Sequence, residues 1–250
     1  MRKVLVIGIG CGDPEQITVQ AVRALNRADV IFLPDKGQEK QSLAAMRQEI
    51  CRRYLERPVR TATYAVPSRR IAGGDYGAGV VDWHAALADI HEGLIAALDL
   101  NETGAFLVWG DPSLYDSTLR ILEQVQSRGR TDFTCEVIPG ISSLQALAAR
   151  HAIILNDIGG TVHVTTGRRL AEKGVPEEAD SIAVMLDGQQ AFASVDRDAY
   201  DIYWAVNLGL DSEALIAGPL AERVESIRTA RSKAREKEGW AMDVYLLRRR

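Results

Sequence analysis

Apolar residues in the first half of the chain follow two kinds of pattern. An unbroken run at residues 4–9 and apolar stretches at 28–33 and 105–109 predict buried strands. Between them, apolar side chains recur at helical spacing. Ile17, Val22 and Leu25 mark one helix. Leu43, Met46 and Ile50 mark a second, over residues 39–55, and Leu87, Ile90, Leu94 and Leu98 a third that begins at Asp82. Pro14 suits the first turn of the first helix, where a missing N–H costs nothing, and Pro34 closes the second strand. Residues 58–67 read as extended and residues 69–79, rich in Gly and charge, as a loop. After Pro112 a helix is expected to about residue 126, then a strand at 133–138 broken by Pro139-Gly140, then a helix capped by Ser142 or Ser143 that runs to Arg150. Strands alternating with helices predict a parallel sheet covered on both faces.

Beyond residue 160 the pattern changes. Strand candidates at 162–166, 181–186, 202–208, 214–217 and 240–247 crowd together with fewer helices between them. That density predicts a second, more mixed sheet. The expected organisation is therefore α/β with two α/β domains, residues 1–112 and 113–250, and a boundary near 111–115. No solenoid period or low-complexity segment is visible.

Composition narrows the function classes. The 250 residues are 46% apolar and 26% charged, with a formal net charge of −4. That balance gives no support for nucleic-acid binding, which needs a basic surface to neutralise phosphates. No stretch approaches the roughly 20 apolar residues of a membrane span, and the amino terminus runs straight into a strand, so no signal peptide and a cytoplasmic location are expected. Cys11, Cys51 and Cys135 lie far apart, which suggests neither a disulfide framework nor a metal site. Cys11 reads as a loop-filling side chain.

Three turns stand at predicted strand ends. Gly8-x-Gly10-x-Gly12-Asp13-Pro14 follows the first strand, Gly110-Asp111-Pro112-Ser113-Leu114-Tyr115 the strand at 105–109, and Pro139-Gly140-Ile141-Ser142-Ser143 the strand at 133–138. Each alone is strand-to-helix punctuation. Together they predict a small-molecule site, because open α/β sheets bind ligands beyond the carboxyl ends of their strands. Gly8-x-Gly10 with Asp35 after the second strand is also the pattern of a dinucleotide fold. The third glycine comes one residue early, and Asp13 would repel a pyrophosphate there. A nicotinamide-dependent oxidoreductase stays open as an alternative, as does a non-catalytic metabolite sensor.

The same three turns resemble the tetrapyrrole (class III) methylases, and the resemblance runs over nearly the whole chain. Residues 81–84, 139–156 and 162–170 carry a narrower likeness to the members that methylate precorrin-5 at C-1 with loss of its acetyl group as acetate. The resemblance implies two α/β domains with S-adenosylmethionine in the cleft between them, S-adenosylhomocysteine as product, and a homodimer. It implies a cofactor site of Pro14, Gly110, Asp111, Leu114, Tyr115, Ser142, Ser143, Met185 and Ala217. Met185 also reads as a strand core residue. Sequence physics does not fix which ring carbon is methylated, so another precorrin methylase step stays open.

Methyl transfer from a sulfonium is a direct displacement, and alignment alone supplies much of the acceleration. Deacetylation needs water to attack a carbonyl, for which a general base would help. Asp13, Asp35, His84 and Asp111 are the candidates, with Asp111 the one assigned to catalysis. The substrate carries many carboxylates, which Arg matches in geometry. Arg168 and Arg169, together with Gly10 and Asp13, are the expected substrate contacts. Arg69-Arg70 is a second arginine pair.

Overall fold

A computed structural model describes residues 1–35, 41–67 and 76–250. It divides into two compact units, Met1–Gly10 with Pro14–Ser142, and Cys11–Asp13 with Ser143–Arg250. Arg69 and Arg70 lie outside the described residues.

The first unit holds a five-stranded parallel sheet in the order β3-β2-β4-β1-β5, from β1 (Arg2–Gly8), β2 (Val30–Asp35), β3 (Arg60–Ala65), β4 (Thr103–Val108) and β5 (Phe133–Ile138). β1 is buried on both faces, which is why its apolar run is unbroken. Leu5 and Ile7 join α1 (Val19–Leu25) and α2 (Gln41–Tyr54) in one cluster. Val4 and Val6 join α3 (Tyr76–Ala96) and α4 (Thr118–Ser127) in the other. Pro34 does not end β2. It continues opposite Tyr64, while pairing with β4 stops at Phe32, so its missing N–H breaks no bond on that side.

Four expectations shift. Pro14 opens a 3-10 turn, Pro14–Gln16, and α1 starts later behind Thr18, whose hydroxyl accepts the Ala21 N–H at 3.0 Å. The glycine-rich segment becomes helical at Tyr76, before Asp82. α4 starts only at Thr118, its first N–H held by Asp116 at 2.7 Å. Residues 113–142, expected in the second domain, belong to the first unit, because β5 pairs with β1 along its whole length.

The second unit holds a mixed sheet in the order β6-β7-β10-β8-β9. Its strands are β6 (Val162–Thr166), β7 (Ser181–Met185), β8 (Tyr200–Val206), β9 (Ala214–Pro219) and β10 (Asp243–Arg249). β6 and β7 are parallel and the other pairs antiparallel. α6 (Gly167–Lys173) and α7 (Leu220–Glu238) bury Leu170, Leu220, Val224 and Ile227 with Ile182, Val184, Trp204 and Tyr245 on one face. α5 (Ser143–His151) meets the other face, where the His151 ring stands edge-on to Tyr203 at 5.8 Å.

Candidate active site

β1 and β4 are neighbours, yet the helices that follow them pack on opposite faces of the sheet. Chains leaving two adjacent strands in opposite directions open a crevice, where such sheets take their ligands. A two-way backbone pair crosses this crevice. Gly110 donates its N–H to the Gly10 carbonyl at 2.7 Å, and Gly10 donates to the Gly110 carbonyl at 3.4 Å. The turn after β5 closes in beside them. A Cβ on Gly8 would lie 2.6 Å from the Gly140 nitrogen and 2.8 Å from the Gly110 oxygen. Only glycine lets three main chains approach so closely.

Asp111 fastens these turns. Its Oδ2 accepts the Gly140 N–H at 2.8 Å, and its Oδ1 accepts the Ser113 N–H at 2.8 Å and the Ser113 hydroxyl. Burial opposes ionisation of this carboxyl, but the Ser113 and Gly140 hydrogen bonds outweigh it and hold the group below the usual carboxylate range. Leu114 closes the turn by donating to the Asp111 carbonyl at 3.3 Å. Tyr115 is held at φ +52°, a left-handed conformation costing of order 1–3 kcal/mol, with its side chain well exposed. Strain of this kind is tolerated where it places a side chain for a purpose. Ser142 is buried, and a Cβ on Gly110 would stand 3.7 Å from its Cα. The Pro14 carbonyl accepts the Tyr54 hydroxyl at 3.2 Å.

Asp35, by contrast, is exposed at the end of β2. β4 lies between β2 and β1, so Asp35 is two strands, about 10 Å, from the glycine turn. A dinucleotide fold sets those two strands side by side. This sheet order removes the oxidoreductase alternative. His84 is half-buried on α3 beside Trp83.

In the second unit, Met185 ends β7 and the exposed Ala217 lies on β9. Each alternates with residues of the buried cluster, so both face the side of the sheet that α5 covers. Ser143 is the first residue of α5. Below Met185 the chain turns through Leu186 at φ +55° and Gln190 at φ +59°. Asp187 stabilises this turn from a buried position. Its carboxylate accepts N–H groups from Gln189 at 3.2 Å and Ala191 at 2.6 Å, and the Tyr245 hydroxyl at 2.7 Å. Asp243 lies in the same network, pairing with Arg231 at 3.1 Å. Sequence reading missed this network, since its members are spread over residues 187–245 with no local motif. Asp13 lies against Gly209, as Gly12 does against Leu208, and its charge reaches Arg150, which is ion-paired with Glu213. Arg168 and Arg169 are exposed at the start of α6. α6 packs on the opposite face from Met185 and Ala217, and Arg168 pairs with Glu172 at 3.7 Å.

Residues 3–223 match the family model of the tetrapyrrole (corrin/porphyrin) methylases. The chain belongs to that family. It is 53% identical to the precorrin-6A synthase [deacetylating] of a Sinorhizobium species, covering 100% of this chain and 96% of that protein. Among solved structures it resembles the cobalamin-synthesis-related protein CobF of Corynebacterium diphtheriae. That match has a TM-score of 0.83 and 36% identity, over 99% of this chain and 98% of the other. Its fold is also that of the Thermus thermophilus uroporphyrin-III C-methyltransferase crystallised with S-adenosylhomocysteine. There the TM-score is 0.58 and the identity 16%, over 98% and 91% of the two chains.

Proposed function

We propose that this chain is an S-adenosylmethionine-dependent C-methyltransferase of corrin biosynthesis. It methylates precorrin-5 at C-1 and releases the acetyl group as acetate, giving precorrin-6A. The observation that carries this reading is 53% identity to the Sinorhizobium enzyme over the full length of this chain.

The first unit's crevice fits the cofactor chemically. Its turns, residues 8–10, 110–115 and 139–142, contain one carboxylate, Asp111, and no Lys or Arg. That donor set suits a positively charged sulfonium and disfavours a polyphosphate. We assign Pro14, Gly110, Leu114, Tyr115 and Ser142 of the first unit to cofactor binding, and Ser143, Met185 and Ala217 of the second. When bound, S-adenosylmethionine supplies a methyl group already activated by positive sulfur. The protein's part is alignment and exclusion of water, worth up to roughly 7–11 kcal/mol where geometry is favourable.

Asp111 takes a positioning role in this reading. Both its oxygens are engaged by the turns it holds, which leaves it a poor acceptor for a substrate proton. Gly10, Asp13, Arg168 and Arg169 stay assigned to the carboxylate-rich substrate. A homodimer in the cytoplasm completes the proposal and rests on the family resemblance alone. Among the described residues, no helix is long and apolar enough to cross a membrane.

Calorimetric titration with S-adenosylhomocysteine tests the cofactor class, and product mass after incubation with precorrin-5 tests the reaction. A folded protein that binds no S-adenosylhomocysteine would overturn the reading.

A further inference from the structure

A cavity of about 130 Å³ opens in the first unit beside the turn after β4. Trp109 and Asp116, the residues that bracket 110–115, both line it. Its wall carries hydrogen-bonding groups that the protein leaves unspent. His91, on α3, is 2% exposed and lies between Phe106 and Tyr64, with ring centroids at 4.4 and 5.4 Å. Neither of its ring nitrogens has a partner among the described residues. Arg47, on α2, is 7% exposed. Its Nε donates to the Leu107 carbonyl and its Nη1 to the Leu43 carbonyl, each at 3.1 Å. Nη2 has no acceptor among the described residues, and neither does the Tyr64 hydroxyl make a hydrogen bond there.

Leaving the two buried His91 nitrogens unpaired costs about 1–3 kcal/mol each. Buried polar groups are nearly always satisfied, so two unsatisfied nitrogens in a cavity wall, beside a cation and a half-buried hydroxyl, point to a ligand. Their protonation states define what that ligand must offer. Burial pushes the His91 ring down to about 4 and the Tyr64 phenol up to about 12, so near neutrality both are uncharged. Burial pushes the Arg47 guanidinium below its usual value, with Tyr64 and Asp116 opposing, and a group that starts so high stays a cation. The cavity thus presents a cation, a phenolic hydroxyl donor, an imidazole with one donor and one acceptor, and at its edge the Asp116 carboxylate. Its volume is that of about four waters. It has room for a two-carbon acyl group with an attacking water, and none for a macrocycle.

We propose that this cavity is the acyl pocket of the deacetylation, in which Arg47 and Tyr64 donate to the acetyl oxygen and His91 accepts from the attacking water. The inference rests on the methyltransferase reading above and adds the place where its second product forms. In the step, the water oxygen bonds to the acetyl carbon, and the bond from that carbon to the ring breaks. The electron pair passes to the ring, which takes the methyl group from the sulfonium. Both water protons are released, one on addition and one as acetic acid ionises. Charge gathers on the acetyl oxygen during addition, where preorganised donors act most strongly.

The test uses the whole protein and its Tyr64→Phe variant, which removes one hydroxyl and keeps the ring. Both are first titrated with S-adenosylhomocysteine, which reports folding and the methyltransferase reading independently of this pocket. Sodium acetate is then added while the fluorescence of Trp83 and Trp109 is followed, since both line the cavity. The expected result is a saturable change with Kd of roughly 1–10 mM, weakened about tenfold in the variant by loss of one hydrogen bond. With precorrin-5, kcat for acetate release should fall about 100-fold in the variant, with little change in KM. A wild type that binds S-adenosylhomocysteine and releases acetate, paired with a variant of unchanged kcat, overturns the pocket and leaves the reaction standing. A raised KM with unchanged kcat would mean that the cavity holds a permanent carboxylate side chain of the substrate, which also overturns the acyl assignment. A wild type that releases no acetate overturns both.

Discussion

Tyr245 donates its hydroxyl hydrogen to the buried Asp187 carboxylate at 2.7 Å, joining the middle of β10 to the turn that follows Met185. Burial, followed by the nearby Asp187 charge, pushes the phenol pKa upward, so Tyr245 stays a donor at any working pH. The Tyr245→Phe substitution keeps the ring and removes the donor. We expect a loss of about 1–3 kcal/mol, because a buried acceptor loses a partner. Urea unfolding with an unchanged m-value checks it. Equal midpoints for the two proteins would show that the Ala191 and Gln189 amides satisfy Asp187 unaided.

Asp243 gives the same network a pH dependence. Burial raises its carboxyl to about 6, the Arg231 charge opposing and the Asp187 charge assisting. A folded-state pKa above the unfolded value of about 3.9 means that folding favours the protonated form. The associated stability is fully present below about pH 4 and is lost as pH rises through about 6. The amount is on the order of 3 kcal/mol. The difference in unfolding free energy between the wild type and Asp243→Asn should therefore change across that window. A difference that stays constant from acid to neutral pH would refute the assignment.

The same chemical change should act in opposite directions at two glycines of the first unit. Gly140 has the Gly110 carbonyl and the Gly8 main chain where a Cβ would go, so Gly140→Ala should destabilise by about 3 kcal/mol and abolish S-adenosylhomocysteine binding. Gly93 sits inside α3 with nothing within 4 Å of its added Cβ. There Gly→Ala should stabilise by about 0.5–1 kcal/mol, from helix propensity and the unfolded chain. Thermal unfolding of both variants checks the pair.

Asp111→Ala should weaken S-adenosylhomocysteine about 10- to 100-fold, since three hydrogen bonds that shape the turn are lost. The shape of the pH profile of kcat should not change. Loss of an acid limb in the variant would instead mark Asp111 as a base.

Much of the first sheet was legible, because parallel strands buried on both faces read as unbroken apolar runs. The strands at 133–138 and 162–166 end where expected. The three turns were legible as well, since tight backbone approach requires glycine and stiff turns favour proline. α7 was not. Its buried Leu220, Val224, Ile227 and Ala234 are spaced for one helical face, but they are diluted by charged residues over 19 positions. The domain boundary was misplaced because no local pattern tells a strand which sheet it will join. Arg47, Tyr64 and His91 come from α2, β3 and α3, so their meeting is a product of topology and leaves no motif.

The order β3-β2-β4-β1-β5 also governs how the chain must be made. β1 pairs only with β4 and β5, and β4 begins at Thr103. While the residues between β1 and β4 leave the ribosome, the buried run Val4–Ile7 has no ladder partner on either edge. Non-local pairings of this kind slow folding and prolong the exposure of sticky strand edges. During synthesis, the segment ending in the glycine turn therefore depends on β4 for its first protection.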